Sequence, residues 1–219
     1  IETRDLSALS SAQLVLLGTR GIVAFDSAQI GALGTAGIVF LTTQQIANME
    51  SRDVAGLTSD QLRALSTGAI SAFSSVQIPA LSIDALNGLT TKQIASLKTS
   101  SIAALTTEQV NALTTSFVSA LSSSQIAAFE GEDLAKLTTD NIVALGTLGA
   151  AALSSQQVLA IGNDGLNALT TGQISRLNLQ TIAALDSNQI DALGTRGVAA
   201  LTSSQVIALG TAGISFLAA

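Results

Sequence analysis

"LTTEQVNALTTSFVSALSSSQIAAF", residues 105–129, states nearly one phrase three times in 25 residues. Cut in eights from Ile1, the 219-residue chain gives twenty-seven such octets and then Leu217, Ala218 and Ala219, with no insertion or deletion. Position 1 of the octet is always Leu, Ile, Phe or Met. Position 6 is Leu, Ile or Val everywhere except Ala150. Position 3 is Ser or Thr except at Ile83, Gly131, Asn163 and Leu179. No charged residue falls at positions 1, 3 or 6, which marks an inward face. Residues 1–219 therefore read as a single repeat array, expected to be part of a longer one.

A second period lies over the first. Position 5 is Gln in every other octet, from Gln13, Gln29 and Gln45 through to Gln189 and Gln205, with Asn141 as the one substitute. Two non-equivalent octets make a 16-residue unit, and the expected architecture pairs them into 16-residue coils. A continuous helix is excluded. Eight residues at about 100° each leave an apolar stripe drifting by about 80° per octet, and eight is not a heptad. The backbone must turn in each octet.

Capping chemistry says where. In all thirteen Gln/Asn octets position 2 is Ser, Thr or Asp: Ser10, Asp26, Thr42, Thr58, Ser74, Thr90, Thr106, Ser122, Thr138, Ser154, Thr170, Asp186 and Thr202. With position 2 as N-cap, position 5 becomes N3, and Ser/Thr-x-x-Gln is a capping box. Positions 1 and 6 become the two halves of a hydrophobic staple. About two helical turns fit before the next break. In six other octets position 2 is Gly, at Gly18, Gly34, Gly146, Gly162, Gly194 and Gly210, which suits a left-handed C′ cap. Each is followed three residues later by a second glycine, Gly21, Gly37, Gly149, Gly165, Gly197 or Gly213, expected to serve close packing between coils or a wall that another chain approaches. Pro79, at N5, requires a very short, kinked or 3-10 segment there.

The expected fold is an all-α repeat solenoid of very short helices. The alternative is a β-solenoid with 16-residue coils, because positions 6 and 8 alternate as a strand would. Ala and Gln favour the helix. An octapeptide cannot offset its own backbone entropy, so the octets must stack, and stability must grow with their number.

Composition narrows function. The chain has no His, Cys, Trp or Tyr, a net charge of −6 and a pI near 4.4, with nine Lys and Arg. Phosphate backbones and anionic membrane surfaces need cations that are missing here, and no apolar run is long enough to span a bilayer. Catalytic, cofactor-binding and metal-binding residues are expected to be absent. Serines and threonines have no histidine to activate them. Glu130, Glu132 and Asp133 read as a solvated face, and "IGNDGL", 161–166, as a variant octet without calcium-loop spacing. Lys92, Lys98 and Lys136 are scattered, with no phosphate loop. The chain is expected not to be an enzyme.

Written as L-T-T-x-Q-[IV]-x-A-L, the unit resembles the octapeptide arrays of very large bacterial secreted and cell-surface proteins, loosely termed adhesin-like, and the resemblance covers residues 1–219. The start of each Gln octet also resembles the first helix of transcription activator-like effector repeats, but the second helix and base-reading loop of that family are missing. The first resemblance implies an extracellular or cell-surface structural protein: a stalk, a sheath or a filament subunit that associates with itself end to end or side by side. The alternative is a solenoid binding module with a peptide, glycan or ice-binding face.

Overall fold

The computed structural model of the chain describes residues 2–216; Ile1 and Leu217, the two ends of the octet count, lie outside them. The described residues form short helices and no strand, so the β-solenoid is excluded. Nearly every octet yields one helix of four to seven residues. Positions 1 and 2 lie extended between helices, as at Met49 (φ −61°, ψ 141°) and Thr58 (φ −82°, ψ 162°). The capping boxes explain this spacing. Ser10, Asp26, Thr42, Thr58, Thr90, Thr106, Ser122, Ser154, Thr170 and Asp186 each accept from the N3 amide, and each N3 glutamine accepts in return from the N-cap amide. At Pro79 the α-helix gives way to a 3-10 turn, Ile78–Ala80, because the ring removes one of the amides that a second helical turn needs.

Two compact units divide the chain, Ile1–Leu105 and Thr106–Ala219. Within the first, helices stack in three columns. One runs Gly18–Val23, Thr43–Asn48, Thr67–Ala72 and Thr91–Ser96. The second runs Thr3–Leu6, Ser27–Ala32, Ser51–Val54 and the Ile78–Ala80 turn. The third runs Gly34–Ile38, Ser59–Ala64 and Ile83–Asn87. The second unit repeats the scheme, for example with Thr107–Asn111, Gly131–Leu134, Ser155–Ala160 and Leu179–Ala183 in one column. Neighbours in a column are three octets apart, so one coil takes 24 residues.

This corrects the 16-residue coil. The capping pattern fixes where each helix starts but not the angle between successive helices, and that angle closes a coil after three octets. The 16-residue period is one of side-chain identity. Three octets per coil against two octets per chemical repeat makes every column alternate Gln octets with the others.

Position 6 fills the interior. Leu14, Ile30, Ile46 and Leu62 in the first unit and Val110, Val158, Ile174 and Ile182 in the second have no exposed surface. Position 1 lies beside it, with Leu41 and Leu65 almost as deeply buried. Every octet therefore removes two apolar side chains from water, about 1.5–3 kcal/mol for each, but only because another layer covers them.

Candidate functional site

The feature that recurs from layer to layer is a joint built on position 5. A six-residue helix leaves carbonyls at its C-terminus without intrahelical donors. In this chain the glutamine of a later octet supplies them. Gln45 Nε2 donates to the Leu14 carbonyl at 2.8 Å, Gln61 to Ile30 at 3.0 Å, and Gln77 to Ile46 and Met49 at 2.8 Å each. Gln93 donates to Leu62 at 2.7 Å and Leu65 at 2.8 Å. In the second unit Gln157 reaches Ile126 and Phe129, Gln173 reaches Ile142, and Gln205 reaches Ile174 and Leu177. The acceptors lie 31 and 28 residues upstream, in the layer below. These seven glutamines are buried. One amide thus caps its own helix through Oε1 and ties down the C-terminus of another through Nε2. Capping was legible in the sequence; the second task was not.

Asn141 is the exception among the capping residues at position 5. Asn141, one methylene shorter, keeps a donor bond to Leu113 at 2.9 Å, while its cap retains only the half in which Thr138 accepts from the Asn141 amide. The helix Thr115–Ser119 stacks on Thr139–Ala144. That places Phe117, the bulkiest residue at position 5 of any non-Gln octet, in the same register as Asn141.

Glycine octets turn differently. Position 1 stays helical, as in Leu17 (φ −57°, ψ −25°), and all six position-2 glycines have φ between 60° and 66°. At Gly194 and Gly210 ψ is 175° and −174°. The positive φ matches the expectation at all six, and at Gly194 and Gly210 the backbone lies in the extended region open to glycine alone, not in the left-handed helical cap. The partner glycine follows from it. A helical position 1 swings its Cβ over position 5, so a Cβ at Gly21 would lie 2.7 Å from Leu17 Cβ, and one at Gly165 2.7 Å from Ile161 Cβ. A Cβ at Gly149 would also meet Ile126 Cδ1, from the layer below, at 2.7 Å. The second glycines pack against their own chain, at Gly149 and Gly197 against the layer below as well, which is the close packing between coils expected of them.

Two joints carry a carboxyl at position 5. Asp53 is 1 % exposed, and its oxygens have no hydrogen-bond partner among the described residues; Arg52 Nε lies 3.5 Å from Oδ1. Burial pushes the Asp53 carboxyl above the usual carboxylate value, Arg52 opposes this, and Glu50 and Asp26 add to it. Asp133 is buried too, with Thr107 Oγ1 donating to Oδ1 at 3.3 Å. Its pKa is raised by burial, against the Thr107 bond and with help from Glu130 and Glu132. Of the "FEGEDLAK" acids, Glu130 and Glu132 are exposed as expected, whereas Asp133 points inward, which corrects the reading of a solvated face.

Asn163, Asp164, Asn167, Asn188 and Asp191 line an open polar depression of about 500 Å³ between stacked layers. Asn163 and Asp164 come from the variant octet "IGNDGL". All five are exposed, and no group of three or more metal-ligating side chains exists among the described residues. Lys92, Lys98 and Lys136 remain exposed and apart in sequence. No helix among the described residues is long and apolar enough to cross a membrane.

No curated protein matches the chain. The family model of the ALTTAQ repeat matches it five times, over residues 1–35, 46–83, 84–115, 126–163 and 182–218. Those matches cover most of the sequence, and the chain belongs to the ALTTAQ repeat family.

Proposed function

We propose that this repeat array is a structural element of a bacterial secreted or cell-surface protein, a stalk, sheath or filament subunit, and not an enzyme. The observation that carries the reading is the layer joint. Buried glutamines such as Gln61 and Gln173 donate their amides to the layer below, so polar side chains that could face a substrate are used to hold the array together. Position 6 adds a purely aliphatic interior. A fold whose stability comes from neighbouring layers is extended by adding octets, which suits a part whose job is reach. Self-association, end to end or side by side, belongs to the same proposal. Micrographs of the purified chain at rising concentration test it: ordered assemblies support it, and dispersed monomers at all concentrations overturn the filament form.

A second reading, a binding module, draws on Thr43, Thr67 and Thr91. They are exposed and hold position 3 on three helices stacked in one column. A regular hydroxyl-and-methyl row suits an ordered surface such as ice or a crystalline glycan. Thermal hysteresis and a glycan array separate this reading from the first.

A further inference from the structure

We propose that Asp53 is folded in as a neutral, proton-carrying donor that seals the joint between its layer and the one below, so that this part of the array tightens on proton uptake. The geometry of the other joints carries the argument. Position-1 carbonyls at Met49, Leu65, Phe129 and Leu177 each accept from a position-5 amide 28 residues downstream. Asn141 shows that a side chain of four heavy atoms suffices, since its amide reaches Leu113 at the same offset. Asp53 has the shape of asparagine, stands at position 5, and follows Phe25 by the same 28 residues.

The helix Ser51–Val54 lies on Ser27–Ala32, directly after Phe25 and Asp26, as the other joints require. An ionised carboxylate brings two acceptors to a site built for a donor. Its one counter-charge, Arg52, stands 3.5 Å from Oδ1 but is 67 % exposed and shared with Glu50, which it meets at 3.1 Å. A protonated carboxyl instead has an O–H to give to the Phe25 carbonyl oxygen.

The surroundings favour the proton. On its own helix Asp53 faces Glu50 and Arg52, and from the helix below it faces Asp26. The preceding helix Thr43–Asn48 and the Ser74–Leu81 segment above carry no titratable residue. Burial is the largest influence and raises the carboxyl pKa, so the sign is fixed. Stabilisation is fully present below the unfolded value of about 3.9 and is lost as pH climbs through the folded one.

The test uses the whole chain. Carboxyl 13C shifts of the wild type give the Asp53 titration directly, and thermal unfolding of Asp53→Asn and Asp53→Ala is followed from pH 3 to pH 8. Asn supplies the donor permanently, whereas Ala, which native joints carry at Ala69 and Ala85, removes the charge without one. The expected result is an Asp53 midpoint above the usual range and an Asn variant whose melting temperature at pH 8 exceeds the wild type's by about 2–4 °C. That gap should close towards pH 3, and the Asn variant should exceed Ala throughout. An ordinary midpoint, a gap independent of pH, or Asn and Ala variants that coincide would each overturn the proposal.

Discussion

Gln93 Nε2 lies 2.8 Å from the carbonyl oxygen of Leu65, 28 residues earlier in the chain, while its Oε1 accepts from the Thr90 amide at 2.9 Å. Both ends of one buried side chain are engaged, by two different helices. Gln93→Glu keeps the acceptor end and deletes the donor, leaving buried carbonyls bare beside a buried charge. The expected loss at neutral pH is about 2–3 kcal/mol by urea unfolding. Gln13→Glu is the control. Gln13 is exposed and caps Ser10, so its substitution should cost under about 0.5 kcal/mol.

The glycine turns make a prediction that a left-handed cap would not. At φ 64° and ψ 175°, Gly194 occupies a region that asparagine does not share, so Gly194→Asn should be as damaging as Gly194→Ala, about 1–3 kcal/mol each. Gly197→Ala should also destabilise, because its Cβ would lie 2.8 Å from Leu193 Cβ. Gly68→Ala should do the reverse. Its nearest neighbour would be Ser66 Oγ at 3.8 Å, and the helix gains about 0.5–1 kcal/mol. Melting temperatures of the four variants decide the matter.

Phe117 and Asn141 should be coupled. Asn141→Gln, which restores the consensus, should destabilise the wild type by crowding Phe117, and should be neutral or stabilising once Phe117→Ala has made room. Phe117 is 1 % exposed, so Phe117→Ala alone should cost about 3–5 kcal/mol. A double-mutant cycle measures the interaction, expected at about 1 kcal/mol or more; strict additivity would refute it.

At Asp133 burial raises the folded pKa above its unfolded value. The folded chain therefore holds this proton more tightly, and the stabilisation it brings below the unfolded pKa disappears as pH rises through the folded one. Asp133→Asn should raise the urea midpoint at pH 7 and leave it unchanged at pH 3. Thr107→Val removes the bond to Oδ1 and should sharpen the wild type's decline with pH.

Helix starts, the inward positions, the positive-φ glycines and the break at Pro79 were all legible in the sequence, because each is decided by residues within one octet. Coil length was not, because it depends on how helices pack three octets apart. The signal was present all the same. Phe117 and Asn141, the two anomalies at position 5, are separated by 24 residues and not by a multiple of 16. The inward turn of Asp133 is hidden for the same reason: within its own octet it reads as one of three solvated acids, and its partner in the neighbouring layer stands outside the octet. Thr107, 26 residues before Asp133, belongs to that other layer.

Closure of the coil after three octets is tested most directly by cross-linking, which a cysteine-free chain allows without background. A Cβ at Gly131 would lie 3.3 Å from Ala160 Cβ, close to the span of a disulfide. Gly131→Cys with Ala160→Cys should oxidise rapidly within the monomer, while Gly131→Cys with Ala152→Cys, the equivalent pair for a coil of two octets, should stay reduced. The opposite outcome, rapid oxidation of the Ala152 pair and none of the Ala160 pair, would contradict the account.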